Sequence, residues 1–145
     1  MSDQQIAASF STSIERDANL VWQKVKDFGD LSWAAAAGLG DVEVDGQGVG
    51  MIRTIAMPGS DAPIVERLVA LSDDAMSITY VVDNDSLPGF KHYAATAQVQ
   101  TADAGSSIIW SMTARAPSGV ATDMQAGLAG MAEGLVTLFA MQFAD

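Results

Sequence analysis

Cysteine is absent from the chain. That excludes disulfides, thiolate nucleophiles and cysteine-ligated metal sites together. Basic residues are scarce: 7 Lys and Arg stand against 18 Asp and Glu, for a formal net charge of −11. Phosphate backbones are recognised by clustered Lys and Arg, so nucleic acid is not an expected partner. Adhesion to an anionic membrane surface is disfavoured for the same reason. Histidine occurs once, at His92, without the neighbours that a catalytic triad or a metal site needs. Neither a metal nor a cofactor is expected. Met1–Phe10 lacks a basic segment followed by an apolar run, so no secretory leader is expected and a cytoplasmic location is the default. No apolar run of about 18 residues is free of polar interruption. The nearest, 121–143, is broken by Asp123, Gln125, Glu133 and Gln142, and no membrane span is expected.

What remains is a globular composition. Hydrophobic residues make up 49% of the 145 and charged residues 17%, which suits one domain with a sizeable core. The most informative stretch is the last, Ala121 to Phe143. It reads as one helix about 35 Å long. Met124, Leu128, Met131, Leu135 and Leu138 form one stripe, with Gly127, Gly130 and Gly134 on a second stripe beside it. Glycine inside a helix costs roughly 1 kcal/mol against alanine. Three on one face imply a tight approach or a space left open.

The rest of the chain divides by period. Residues 1–6 read as a loose start and Ala7 to Glu15 as a first strand. Asp17 can cap a helix from Ala18 to about Phe28, with Gly29 supplying a left-handed end. A short second helix follows from Leu31 to about Ala37, closed by Gly38. The period then changes to two. Strands are expected around Val42–Val44, Met51–Met57, Ile64–Leu71, Met76–Val82, Phe90–Gln100 and Ser106–Ala114. Short turns between them imply antiparallel pairing. Gly46, Gly48 and Gly50 are spaced like part of a phosphate loop but open no helix, so a dinucleotide fingerprint is rejected.

Four segments carry a likeness to a known family: Val21-Trp22 through Asp27-Phe28-Gly29, Val65-Glu66-Arg67-Leu68 with Leu71-Ser72-Asp73-Asp74, Lys91-His92-Tyr93, and Ile109-Trp110. In order and spacing the chain resembles the START-like, Bet v 1-like helix-grip superfamily, and within it the polyketide cyclase/dehydrase-type branch. The resemblance covers about residues 7–143. It implies an α+β fold in which a curved seven-stranded antiparallel sheet wraps a long C-terminal helix, with two short helices closing one end. It also implies a cavity for an apolar or amphipathic small molecule, and some members are enzymes.

Glu66 is the most pointed candidate. Each face of its strand holds one charge, so alternation cannot orient it; the resemblance favours Glu66 inward and Arg67 outward. In an apolar cavity it can act as acid, base or polar anchor, or it can pair with a neighbouring strand. Tyr80 and Tyr93 alternate inward, where a phenol needs a hydrogen-bond partner. Ala95 and Ala97, opposite the small residues of the helix, are expected to leave volume unfilled. His92 and Lys91 are expected at the surface. Trp22 belongs to core or interface, Trp110 points inward, and Trp33 sits at the cavity mouth. Met57 to Pro63 forms a loop at the entrance; it reads as an ordinary polar hairpin loop, although the equivalent loop of the resembling plant receptors acts as a lid.

The expected wall joins Trp33, Ile55, Met57 and Leu68 to Tyr80, Tyr93 and Trp110, and on the helix to Leu128, Met131 and Leu135, with Glu66 as polar anchor. The leading function is binding of a hydrophobic small molecule. The alternative is a polyketide cyclase- or dehydratase-like enzyme in which Glu66 moves protons and Tyr80 or Tyr93 orients the substrate. The bland helix face of Ala126, Ala129, Glu133 and Ala140 suits a homodimer with either.

Overall fold

The computed structural model describes residues 3–37, 40–56, 58–59, 62–83 and 90–143. In chain order the elements are strand β1 (Asp3–Ile14), helix α1 (Ala18–Lys26) and a 3₁₀ turn (Ser32–Ala37). Strands β2 (Val42–Asp45), β3 (Ile52–Ile55), β4 (Ile64–Ser72), β5 (Ser77–Val82), β6 (Lys91–Ala102) and β7 (Gly105–Pro117) follow, then helix α2 (Ala121–Met141). The strands form a 7-stranded antiparallel sheet in the order β1-β7-β6-β5-β4-β3-β2. Each strand from β2 to β7 pairs with its sequence neighbour, as short turns require, and β1 returns beside β7. This is the expected helix-grip architecture.

Its edges differ from the sequence reading. β1 begins at Asp3, four residues before the expected Ala7. Ile6 is fully buried, and the Asp3 carbonyl accepts a hydrogen bond from Arg115 Nη2 at 2.9 Å. α1 ends at Lys26, and Gly29 is not left-handed. The role of Gly29 is steric: a Cβ there would lie 2.9 Å from Val44 Cγ2. Gly105 has both constraints. Its φ is +133°, and a Cβ would come within 2.6 Å of the Ile14 carbonyl oxygen.

Two register shifts aim the inner face. The β4–β5 register slips between Leu68 and Ala70, so Leu68 is buried while Ala70 is exposed. The β6–β7 register slips between Lys91 and Ala94. There His92 takes φ +53° and stays exposed, and Tyr93 turns inward. A bulge that redirects a side chain in this way is a common device near sites.

α2 packs mainly on β1 and β7. Its buried stripe is Ala121, Leu128, Ala132, Val136 and Phe139. This differs from the expected stripe by one residue step, about 100° of rotation. Met124, Met131, Leu135 and Leu138 are half-buried. Gly127 and Gly130 are exposed with nothing within 4 Å of where a Cβ would stand, so neither marks a close approach. By length and composition Ser118–Met141 is apolar enough to cross a membrane, which its polar interruptions had argued against. In the fold it lies against the sheet with Leu128, Ala132, Val136 and Phe139 fully covered.

Candidate functional site

The two helices do not cover the whole inner face. α1 lies over β5, β6 and β7, and α2 over β1 and β7. Between them, towards β3 and β4, a cavity of about 400 Å³ remains under the 3₁₀ turn. Its apolar wall comes from Leu31, Trp33 and Ala34 at the turn, Ile55 and Ile64 on the sheet, and Met131, Gly134 and Leu135 on α2. Its polar groups are Arg53, Glu66, Tyr80, Tyr93 and the Trp110 indole. A depression of about 420 Å³ on the opposite face of the sheet is lined by Ala, Ser, Thr and Met side chains and offers no charged or aromatic group.

The polar side is ordered by strand pairing. Arg53 on β3 stands directly opposite Glu66 on β4. Arg53 Nε donates to Glu66 Oε1 at 2.6 Å, and Arg53 Nη1 donates to the Phe28 carbonyl at 2.7 Å. The guanidinium lies 3.9 Å from the Phe28 ring centroid and 4.8 Å from that of Tyr80. A cation so placed gains from both ring faces. Both charged residues are nearly inaccessible, Arg53 at 5% and Glu66 at 8% exposure. A buried charge without a partner is strongly unfavourable, so each is the condition for the other's presence.

The tyrosines lie deeper. Tyr80 accepts a hydrogen bond from Trp110 Nε1 at 3.1 Å, and Tyr93 donates to the Met112 sulfur at 3.6 Å. Burial pushes the Tyr80 phenol up to about 12, helped by the nearby Glu66 carboxylate. Burial and the neighbouring Tyr80 raise Tyr93 well above its ordinary range. Both are therefore neutral donors at physiological pH and not bases. Trp33 closes the wall through inclined ring contacts, tilted against Trp110 at 5.7 Å and edge-to-face on Phe139 at 5.3 Å between centroids.

Of the residues singled out from sequence, Trp33, Ile55, Glu66, Tyr80, Tyr93, Trp110, Met131 and Leu135 all face this one space. Leu68 and Leu128 do not. They are 1% and 0% exposed and form part of the packed core. Met57 lies outside the described residues, as do Ser60 and Asp61 of the loop it begins and Gly38 after the 3₁₀ turn. Ala95 and Ala97 are buried and do not line this cavity. Lys91 and His92 are exposed, and Trp22 is buried with its indole N–H on Asp73 Oδ1 at 2.9 Å. Among the described residues no group of three or more His, Asp or Glu is placed to hold a metal ion.

The residue that sequence reasoning missed is Arg53. Its signal was available: it shares a strand face with Ile55, two residues on, and that face was read as inward. An arginine there implies a buried carboxylate opposite, and Glu66 is that partner.

A curved antiparallel sheet gripping a C-terminal helix, with a part-polar cavity between them, defines a protein of the Bet v 1-like, START-like class. Within it the chain belongs to the polyketide cyclase / dehydrase and lipid transport family, which matches residues 5–140. Solved structures agree on the fold. Norcoclaurine synthase from Thalictrum flavum, in complex with dopamine and hydroxybenzaldehyde, superposes with a TM-score of 0.78 at 14% identity, over 97% of this chain and 87% of that one. A point mutant of that enzyme with a transition-state analogue gives 0.74 at 16%, over 99% of both chains. A protein from Nitrosospira multiformis gives 0.72 at 18%, over 98% of this chain and 97% of its own. No curated protein matches the sequence.

Proposed function

We propose that the protein binds a small amphipathic molecule, apolar over most of its surface, in the cavity between the sheet and α2. The observation that carries this reading is the wall itself: about 400 Å³ bordered by aliphatic and indole surface, with polar groups gathered on the side of β3 to β6. Sites for small molecules are typically of roughly 300–1,000 Å³ with a few convergent polar groups. Gly134 widens the space, since no side chain projects from α2 at that point. Met131 lends the wall a side chain that adapts its shape. Apolar contact supplies affinity, and the Arg53–Glu66–Tyr93 side supplies orientation. Native mass spectrometry of the protein purified from cells tests the reading. An adduct of small-molecule mass, lost in Gly134→Leu, is the expected result; no adduct and no uptake of added apolar probes contradicts it.

A second reading, an enzyme of the cyclase or dehydratase kind, is favoured by one observation: Glu66 and two phenols border the same space. In it Glu66 alone would move protons, because both tyrosines stay protonated and can only donate hydrogen bonds. Its bond to Arg53 has to be shared with the reacting group. Once a substrate is known, Glu66→Gln separates the readings: lost turnover with retained binding marks the enzyme. A cytoplasmic location and a homodimer through the exposed face of α2 complete the proposal, the latter checked by sedimentation.

A further inference from the structure

We infer that the ligand of this cavity is uncharged at its polar end, carrying a hydroxyl, ketone, ester or amide and not a carboxylate or an amine. This rests on the reading of the cavity as a binding site and narrows that reading to a chemical class. The cavity's only two ionic groups among the described residues are Arg53 and Glu66, and they are bonded to each other at 2.6 Å. Arg53 is held further by the Phe28 carbonyl and by the rings of Phe28 and Tyr80. The pair is thus fixed by the frame of the fold and sums to zero charge. The remaining polar groups, Tyr80, Tyr93 and Trp110, carry none.

A ligand carboxylate reaching this wall would have to share Arg53 with Glu66. Two carboxylates would then face one buried cation. A ligand ammonium would set two cations on Glu66 in the same way. Either leaves one uncompensated charge in an apolar chamber, which is strongly unfavourable. A neutral group meets no such penalty. It can accept from Arg53 Nη2, which makes no hydrogen bond to the described residues, or donate to Glu66 Oε2. It can also draw the Tyr93 hydroxyl from the Met112 sulfur, a weak acceptor at 3.6 Å.

Three probes with the same bicyclic body test this at neutral pH: naphthol, naphthoate and naphthylmethylamine, titrated calorimetrically into the wild-type protein. Naphthol is expected to bind at least about tenfold more tightly than either ion. Naphthoate or the amine binding as well as naphthol overturns the inference and leaves the cavity reading intact. Binding by none of the three overturns both. Glu66→Gln supplies a second readout. It removes one charge and leaves Arg53 a net cation, so naphthoate should gain at least about tenfold relative to naphthol. An unchanged ratio in the folded variant overturns the inference, and the wild-type panel decides it if the variant does not fold.

Discussion

Arg53 and Glu66 hold each other in a place where neither would stand alone. Removing only the carboxylate, as in Glu66→Ala, should cost about 3–5 kcal/mol, because a buried guanidinium is left unpaired. Replacing both, as in Arg53→Met with Glu66→Leu, should recover most of that loss; urea unfolding of the wild type and the two variants measures it. A double variant as unstable as the single one would show that the Arg53 contacts to Phe28 matter more than the pair. Tyr80 and Tyr93 make a second prediction at this scale, and they are the only tyrosines in the chain. Their folded pKa values lie above the unfolded value, so the unfolded chain loses phenolic protons first as pH rises. The stability they contribute is fully present below 10.0 and is lost as pH climbs above it, in the case of Tyr80 towards about 12. Tyrosinate absorbance should therefore stay flat through pH 10 and rise only above it, together with unfolding. An ordinary titration centred at 10 would mean that neither phenol is buried.

α2 was the element most readable from sequence and also the most misread. Its length, its apolar character and its three glycines are plain in the chain. Which stripe faces the sheet is not. Met131 and Leu135 border the cavity, and periodicity cannot distinguish a cavity wall from a packed core. The glycines then act differently. Gly130 faces open space, so Gly130→Ala should stabilise the protein by up to about 1 kcal/mol. Gly134→Leu should leave stability no lower and abolish probe uptake, since its side chain would enter the cavity. Gly105→Ala should destabilise by about 1–3 kcal/mol, because it combines a positive φ with a contact of 2.6 Å to Ile14 backbone. Thermal unfolding of the three checks the stability directions, and titration with an apolar probe checks uptake in Gly134→Leu.

The whole molecule was legible as a fold because seven alternating segments and a closing helix admit few arrangements, and four short motifs point to one of them. The candidate site was legible only in part. Tyr80, Tyr93 and Trp110 declare themselves as polar or aromatic residues on inward faces, whereas Glu66 is oriented only by the family resemblance, because each face of its strand holds one charge. The position of the cavity depends on how two helices divide the sheet, which no local pattern carries, and Ala95 and Ala97 fall outside it. Arg53 stayed hidden because a charge on a short strand reads as solvent-exposed until its partner is placed opposite. In the proposed function an apolar ligand enters between α2 and the sheet and turns its polar end to the Arg53–Glu66 side. Amide and indole chemical shifts, followed by NMR as naphthol is added, test it most directly. Changes concentrated at Glu66, Tyr93, Trp110 and Gly134 are the expected result. Changes confined to the outer face around Ser9 and Ser111, or none at all, would contradict it.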